Sequence, residues 1–164
     1  MADSVSFSDS IPVQLTDWSL SVSIPRFDPL LGTLDSIDFE VSGHVEGSVQ
    51  FESLDSAPAT IMTTLAAMIS LQRTDTPVIT SVLPALATSY NVLAFDNNID
   101  FGGDSGRSYF GIVADLSNSH TSPPLVSDLA LFTGVGNIIL PVEANAASTV
   151  SGAGNLIGII STSA

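Results

Sequence analysis

The clearest pattern in this chain is the strict alternation of apolar and polar residues. Between Trp18 and Ile24 every second residue is apolar, the residues between them are serines, and Pro25 ends the run. The same alternation marks residues 37–42, and apolar residues also occupy positions 138, 140 and 142. Because successive side chains of a β-strand point to opposite faces, each stretch predicts a strand with one face on a core and the other in water.

Other apolar segments are less regular. Residues 89–95 and 154–162 are more continuously apolar and predict central strands. Residues 59–72 fit a helical stripe and one face of a strand equally well, since their Ala and Met residues favour a helix while their Thr and Ile residues favour a strand. The strand-rich surroundings favour a long strand here. A short helix is predicted over Ser127–Phe132.

Residues typical of turns separate these runs. Their recurrence between short strands, with no internal repeat and no linker, predicts one domain over residues 1–164. We expect an all-β fold, an antiparallel β-sandwich of jelly-roll-like type. The predicted turns are Phe27-Asp28-Pro29, Thr74-Asp75-Thr76-Pro77, Asp96-Asn97-Asn98, Ser122-Pro123-Pro124, Gly134-Val135-Gly136 and Gly152-Ala153-Gly154.

Charge and composition narrow the classes of function. The chain of 164 residues has 17 acidic residues against three Arg and a net charge of -14, yet 45% of it is hydrophobic. The apolar fraction is sufficient for a packed core, which places the acidic residues outside. Such a charge repels nucleic acid and anionic membrane surfaces, and no segment reaches the roughly 20 apolar residues that a membrane helix needs. The absence of Cys excludes thiolate chemistry and thiolate metal sites.

One acidic stretch has the spacing of a cation site. Asp96, Asn98 and Asp100 form a D-x-N-x-D pattern, with Asp104 four residues further on. Oxygen ligands at alternate positions suit a hard cation such as calcium, although the EF-hand pattern is absent because Arg107 takes the place of its bidentate Glu. The simpler interpretation is an Asx-rich turn capped by its own side chains, and the sequence favours it. Calcium binding at these four residues remains a second hypothesis.

The other titratable residues give weaker signals. Asp28, Asp35 and Asp38 are interpreted as a turn residue and solvent-facing strand residues rather than as a second cation site or a carboxylate pair for glycoside hydrolysis. His44 and His120 are the only imidazoles, and no spacing typical of a zinc site surrounds them. No G-x-S-x-G elbow marks a nucleophilic Ser, so no catalytic residue is assigned.

Aromatic residues suggest one further alternative. Trp18, Tyr90 and Tyr109 are candidates for a platform on which a sugar stacks. Because Trp18 lies on the apolar face of its predicted strand, packing in the core is the preferred interpretation for it.

Several short motifs occur in an order that resembles a known family, the choice-of-anchor E domain. Together they span most of the chain. They are Phe7-Ser8-Asp9-Ser10-Ile11-Pro12, Trp18, Phe27-Asp28-Pro29-Leu30-Leu31-Gly32-Thr33-Leu34, Val45-Glu46-Gly47-Ser48, Phe51-Glu52, Ala94-Phe95-Asp96, Ile99-Asp100-Phe101-Gly102-Gly103, Ser105-Gly106, Asp128-Leu129-Ala130-Leu131-Phe132-Thr133-Gly134 and Gly152-Ala153-Gly154-Asn155.

The resemblance implies an extracellular bacterial protein. Members of that family, many of them cyanobacterial, carry a removable C-terminal sorting segment of the PEP-CTERM type, so the resemblance implies export and attachment to the cell surface. It brings no catalytic residues with it. Neither a signal peptide nor a sorting tail is recognisable here, and the family pattern continues with another strand beyond residue 164.

These observations lead to an expected function and a runner-up. We expect a secreted or surface-attached, non-catalytic module with a structural or adhesive role. The alternative is a module that binds extracellular polysaccharide, with calcium assisting, and a hydrolase ranks third. Because the chain stops after an apolar run at Leu156–Ile160, we also expect self-association through an exposed sheet edge at the C-terminal strand.

Overall fold

The fold is an antiparallel β-sandwich. The computed structural model describes residues 3–74, 78–122 and 126–164. In these residues it contains nine strands, one short α-helix and one turn of 3-10 helix at Pro29–Leu31. The strands and the helix are β1 (Trp18–Pro25), β2 (Ile37–Ser53), β3 (Ala59–Gln72), β4 (Val78–Val82), β5 (Ala85–Val92), β6 (Gly106–Ser122), α1 (Val126–Phe132), β7 (Asn137–Ala146), β8 (Thr149–Ser151) and β9 (Leu156–Ser163).

Two sheets face each other across the core. The larger sheet has the order β1-β7-β3-β4, with β5 and β8 also paired to β3, and the smaller sheet has the order β6-β2-β9. All of these strand pairs are antiparallel. Buried apolar side chains from both sheets form the main core, including Val45 and Val49 from β2 and Leu65 from β3. The prediction of an all-β sandwich is therefore confirmed.

Several elements lie where the sequence places them. The ambiguous segment 59–72 is a strand, β3, and β1 and β7 contain the predicted alternating runs. The predicted helix is α1, and its last residue, Phe132, packs edge-on against Phe39 with ring centroids 5.3 Å apart. The predicted turn at Asp96–Asn98 has Asn97 in the left-handed region at φ 69°. The centres of two other predicted turns, residues 75–77 and 123–124, lie outside the described residues.

Two predictions about the position of strands are wrong. The segment 89–95 contributes only its first residues to β5, which is mostly exposed and, among the described residues, pairs with β3 alone. The segment 154–162 contains most of β9, which lies at an edge of the smaller sheet. A run of apolar residues indicates only that side chains are buried. Whether a strand is central or at an edge depends on whether other strands pair with it on both sides.

The long strand β6 has no counterpart among the predicted strands, and a β-bulge explains why. Two steps along β2, from Gly47 to Val49, correspond to three steps along β6, from Ile112 to Tyr109. Gly111 lies in this bulge at φ 65°, a conformation that glycine adopts without steric cost. The extra residue shifts the alternation by one position, so β6 does not show a period of two along its whole length.

The N-terminal segment pairs with part of the edge of β9, which the sequence predicts to be exposed. Gln14 and Ala164 exchange two backbone hydrogen bonds of 3.1 and 2.9 Å, and the Thr16 N–H donates to the Thr162 carbonyl at 3.1 Å. The C-terminal end of β9 is thus held between β2 and residues 14–16. Trp18 packs against the core as expected, and its indole N–H donates to the Ala164 carbonyl at 3.2 Å.

Candidate functional site

The candidate calcium residues lie in the loop that connects β5 to β6. Asp96 accepts a hydrogen bond from the Asn98 N–H at 2.9 Å, and the Asn98 amide donates to the Asp100 carboxylate at 2.6 Å. The second oxygen of Asp100 accepts from the Gly102 N–H at 2.9 Å. The Asp104 side chain is exposed, and its main-chain carbonyl accepts from the Leu93 N–H at 3.0 Å, which closes the base of the loop.

This geometry is that of an Asx-rich turn. The side chains of Asp96, Asn98 and Asp100 each form a hydrogen bond with a residue two positions further along the chain. Such short-range bonds are typical of side chains that cap a local turn. Across residues 3–74, 78–122 and 126–164, no three His, Cys, Asp or Glu side chains come together in a way that would hold a metal ion. Calcium binding by Asp96, Asn98, Asp100 and Asp104 therefore stays the second hypothesis, which a calcium titration tests.

A buried carboxylate beneath this loop was missed by the sequence analysis. Glu52, in β2, is fully buried and accepts hydrogen bonds from the Ser105 hydroxyl at 2.6 Å and the Phe101 N–H at 2.8 Å. Its position in the alternation, next to the core residue Phe51, predicts a solvent-facing side chain. The loop folds back over that face and excludes water, so the carboxyl group is hydrogen-bonded by two donors far away in the sequence.

Glu52 also stabilises an unusual backbone conformation at Phe101. Phe101 adopts φ 56°, in the left-handed region that bulky residues rarely occupy. Such a conformation costs roughly 1–2 kcal/mol and persists only where the surroundings fix it. The hydrogen bond from the Phe101 N–H to Glu52 is one such constraint, and the Ser108 hydroxyl donates to the Phe101 carbonyl at 2.9 Å as a second.

Other carboxylates perform the same capping role. Asp55 accepts from the N–H groups of Gly154 and Asn155 at 2.7 and 2.9 Å, which fixes the turn before β9. Asp28 caps the 3-10 turn by accepting from the Leu30 N–H at 2.9 Å. Asp9 accepts hydrogen bonds from the N–H groups of Ser23 and Ser10, and these bonds lower its pKa, the Ser23 bond more than the Ser10 bond. These three side chains bind main-chain amides.

His44 forms an exposed pair on the outer face of the smaller sheet. Its Nδ1 lies 2.7 Å from Asp115, the residue opposite it on β6, and its Nε2 lies 3.6 Å from Glu46. The hydrogen bond to Asp115 is the main cause that raises the pKa of His44. His120 is exposed on β6 opposite Phe39, so the two imidazoles lie at different places along the same strand pair.

A groove of about 340 Å³ lies between the facing strands β5 and β6. The rings of Tyr90 and Tyr109 stack along it with centroids 4.4 Å apart. The pKa of Tyr109 is raised, mainly by its burial and to a smaller extent by the neighbouring Tyr90. Phe110 is 70% exposed at its side. Two of the three aromatic residues singled out in the sequence thus come together, while Trp18 lies elsewhere. The groove is lined by Val49, Thr63, Leu65, Leu86, Thr88, Tyr90, Tyr109, Phe110, Gly111, Ile112 and Val113.

Comparisons with known proteins identify no relative of this chain. No family model, no curated protein and no solved structure matches this chain. Among the helices of the described residues, none is long and apolar enough to cross a membrane.

The role of Glu52 is tested by its removal. Glu52→Ala leaves the Ser105 hydroxyl and the Phe101 N–H without their acceptor in a buried place, so we expect a loss of about 2–4 kcal/mol in the free energy of unfolding. Glu40→Ala, on the exposed face of the same strand, is the matched control and should change it by less than about 0.5 kcal/mol. Denaturant unfolding measures both, and equal losses in the two variants would contradict the role assigned to Glu52.

Calcium titration separates the two interpretations of the 96–104 loop. A bound ion would stabilise the folded state by about 2.7 kcal/mol at a hundredfold excess over its Kd, and Asp100→Ala would abolish that gain. Because Asp96, Asn98 and Asp100 are already hydrogen-bonded to each other and to the loop, we expect an unchanged melting temperature instead. Asp100→Ala should then destabilise by about 1 kcal/mol with calcium and with chelator alike. A calcium-dependent increase that Asp100→Ala removes would establish the cation site.

Proposed function

We propose that this chain is a non-catalytic structural or adhesive module that acts outside a bacterial cell or on its surface. The observation that carries the proposal is that four carboxylates are hydrogen-bonded to the main chain of neighbouring loops. Glu52, Asp55, Asp96 and Asp100 each accept hydrogen bonds from main-chain amides of the loops around them. Carboxylates committed to holding loops favour a rigid binding scaffold over a hydrolase, whose acid and base must face the substrate.

Surface chemistry supports the extracellular location. The outer faces of the strands carry serines and carboxylates, such as Ser19 and Ser21 on β1 and the hydrogen-bonded pair of Ser42 and Ser117. A net charge of -14 with no Lys gives a strongly hydrated surface that repels other acidic polymers. Together with the resemblance to the choice-of-anchor E domain, this composition favours secretion or display at the cell surface.

Retention on bacterial surfaces tests the proposed role. We expect fluorescently labelled protein to sediment with cells or isolated extracellular matrix from cyanobacteria, without releasing reducing sugar ends or peptides from them. Asp55→Asn should be retained as well as the wild type, since it has no catalytic part. Absence of retention would overturn the adhesive role, and release of reducing sugar ends or peptides by the wild type would overturn the non-catalytic one.

The groove between β5 and β6 favours a second candidate function, the binding of a neutral oligosaccharide. Its volume of about 340 Å³ lies within the range of small-ligand sites. The stacked rings of Tyr90 and Tyr109 line the groove, Thr63 and Thr88 supply hydroxyl groups, and the exposed ring of Phe110 supplies an apolar face. The net negative charge disfavours anionic polysaccharides, so the expected ligand carries no charge.

Calorimetric titration with neutral gluco-oligosaccharides tests this groove. Phe110→Ala should weaken binding about threefold to tenfold, the effect of losing one aromatic contact. Phe7→Ala makes the same change at an exposed aromatic residue outside the groove and should leave the affinity unchanged. Binding that both variants weaken equally would place the ligand elsewhere, and no heat of binding would remove this candidate.

A further inference from the structure

The stacked tyrosines lie where the two sheets meet. Tyr90 is in β5, which belongs to the larger sheet through its pairing with β3, and Tyr109 is in β6 of the smaller sheet. Their ring centroids are 4.4 Å apart and their ring planes differ by 20°. At that separation, near-parallel rings place carbon atoms of one ring in van der Waals contact with those of the other. The pair is therefore a direct contact between the two sheets.

The two phenol groups lie at the same end of the stack. After burial, the hydroxyl group of Tyr90 is the next cause that raises the pKa of Tyr109, so the two hydroxyl groups are close to each other. The ring carbons beside each hydroxyl are then brought together as well. Both rings are half-buried, and on the core side they pack against the cluster of Phe51, Ile61 and Val92. The pair is thus held in place by the core while part of each ring remains open to solution.

The composition of the chain leaves few other ways to join the sheets covalently. With no Cys and no Lys, the chain can form neither a disulfide nor an amide bond from a lysine side chain. It also lacks the thiols that would reduce a tyrosyl radical. The chain contains only two tyrosines, so a bond between tyrosines of one molecule must join Tyr90 to Tyr109.

We propose that Tyr90 and Tyr109 form a modification site, at which hydrogen peroxide and an enzyme of the peroxidase class couple them into a dityrosine that stabilises the contact between the sheets. Each phenol loses one electron and its proton to the oxidant. The two radicals combine in a bond between the ring carbons beside the hydroxyls, and the hydrogen on each of those carbons moves to its oxygen, which restores both phenols. Hydrogen peroxide takes up the two electrons and two protons and becomes two molecules of water. The inference does not rest on the proposed function, because it concerns only the chemistry of the purified chain.

Oxidation of the purified chain with hydrogen peroxide and a haem peroxidase tests the site. We expect a monomeric product that shows dityrosine fluorescence and is lighter than the untreated chain by two hydrogen atoms. Trypsin cuts after Arg107 and so separates the two tyrosines, and the product should therefore yield residues 74–107 linked to residues 108–164. Rings held in contact have a far higher effective concentration than rings on separate molecules, so the yield should not fall when the protein is diluted.

Tyr90→Phe and Tyr109→Phe are matched variants, since each keeps an aromatic ring in the stack and removes one oxidisable hydroxyl. Circular dichroism confirms that both are folded before oxidation. At the same total concentration of tyrosine, an equimolar mixture of the two should form dityrosine at least about tenfold more slowly than the wild type, and only between chains. A wild type that forms no dityrosine, or forms it only between chains, or forms it no faster than the mixture, would overturn the proposal.

The melting temperature tests the stabilising role of the bond. A bond between residues 90 and 109 closes a loop in the unfolded chain and lowers its entropy, as a disulfide does. The isolated cross-linked monomer should therefore melt at least about 5 °C above the untreated chain. Tyr109→Phe, treated in the same way, controls for oxidation at other residues and should show no increase. An unchanged or lower melting temperature of the cross-linked monomer would overturn the stabilising role.

Discussion

The packing of β3 against β2 is the contact on which the rest of the structure depends. Val45 and Val49 from one strand and Leu65 from the other are almost completely buried at the centre of the core. Each of these two long strands lies in the middle of its sheet and holds partners on both sides, β6 and β9 for β2, and β7, β8, β4 and β5 for β3. Apolar burial between two central strands therefore fixes the relative position of all the strands that pair with them.

Acidic residues have two different roles in this molecule. Many lie on the surface and give the chain its net charge of -14. Others serve as acceptors for backbone N–H groups, as Glu52 does for Phe101 and Asp55 does for the turn at 154–155. With no Lys and only three Arg in the chain, main-chain amides take the place of cationic side chains as partners for carboxylates. In the part of the chain that the structure describes, the loops at this end of the sandwich are consequently held by hydrogen bonds rather than by ion pairs.

Much of the fold could be predicted, because a period of two is a local signal. The alternating runs at 18–24 and 138–142 are strands, and so is the ambiguous segment 59–72. The exception is instructive, since β6 is one of the longest strands and its pattern is interrupted by the bulge at Gly111. One extra residue exchanges the inward and outward positions, and a rule based on strict alternation then fails. The interpretation of the 96–104 loop as an Asx-rich turn is likewise local, because its contacts join residues two apart.

The sequence by itself determined the class of the fold, the outward placement of most acidic residues and the self-capping of the 96–102 turn, because each depends on neighbouring residues. Only the tertiary structure decided that Glu52 is buried, since its partner Ser105 lies 53 residues away and the loop between β5 and β6 must fold back over β2. It also brought Tyr90 and Tyr109 together and paired the C-terminal end of β9 with residues 14–16. Burial of a particular side chain and completion of a sheet edge depend on which distant segments meet, and no local pattern encodes that choice.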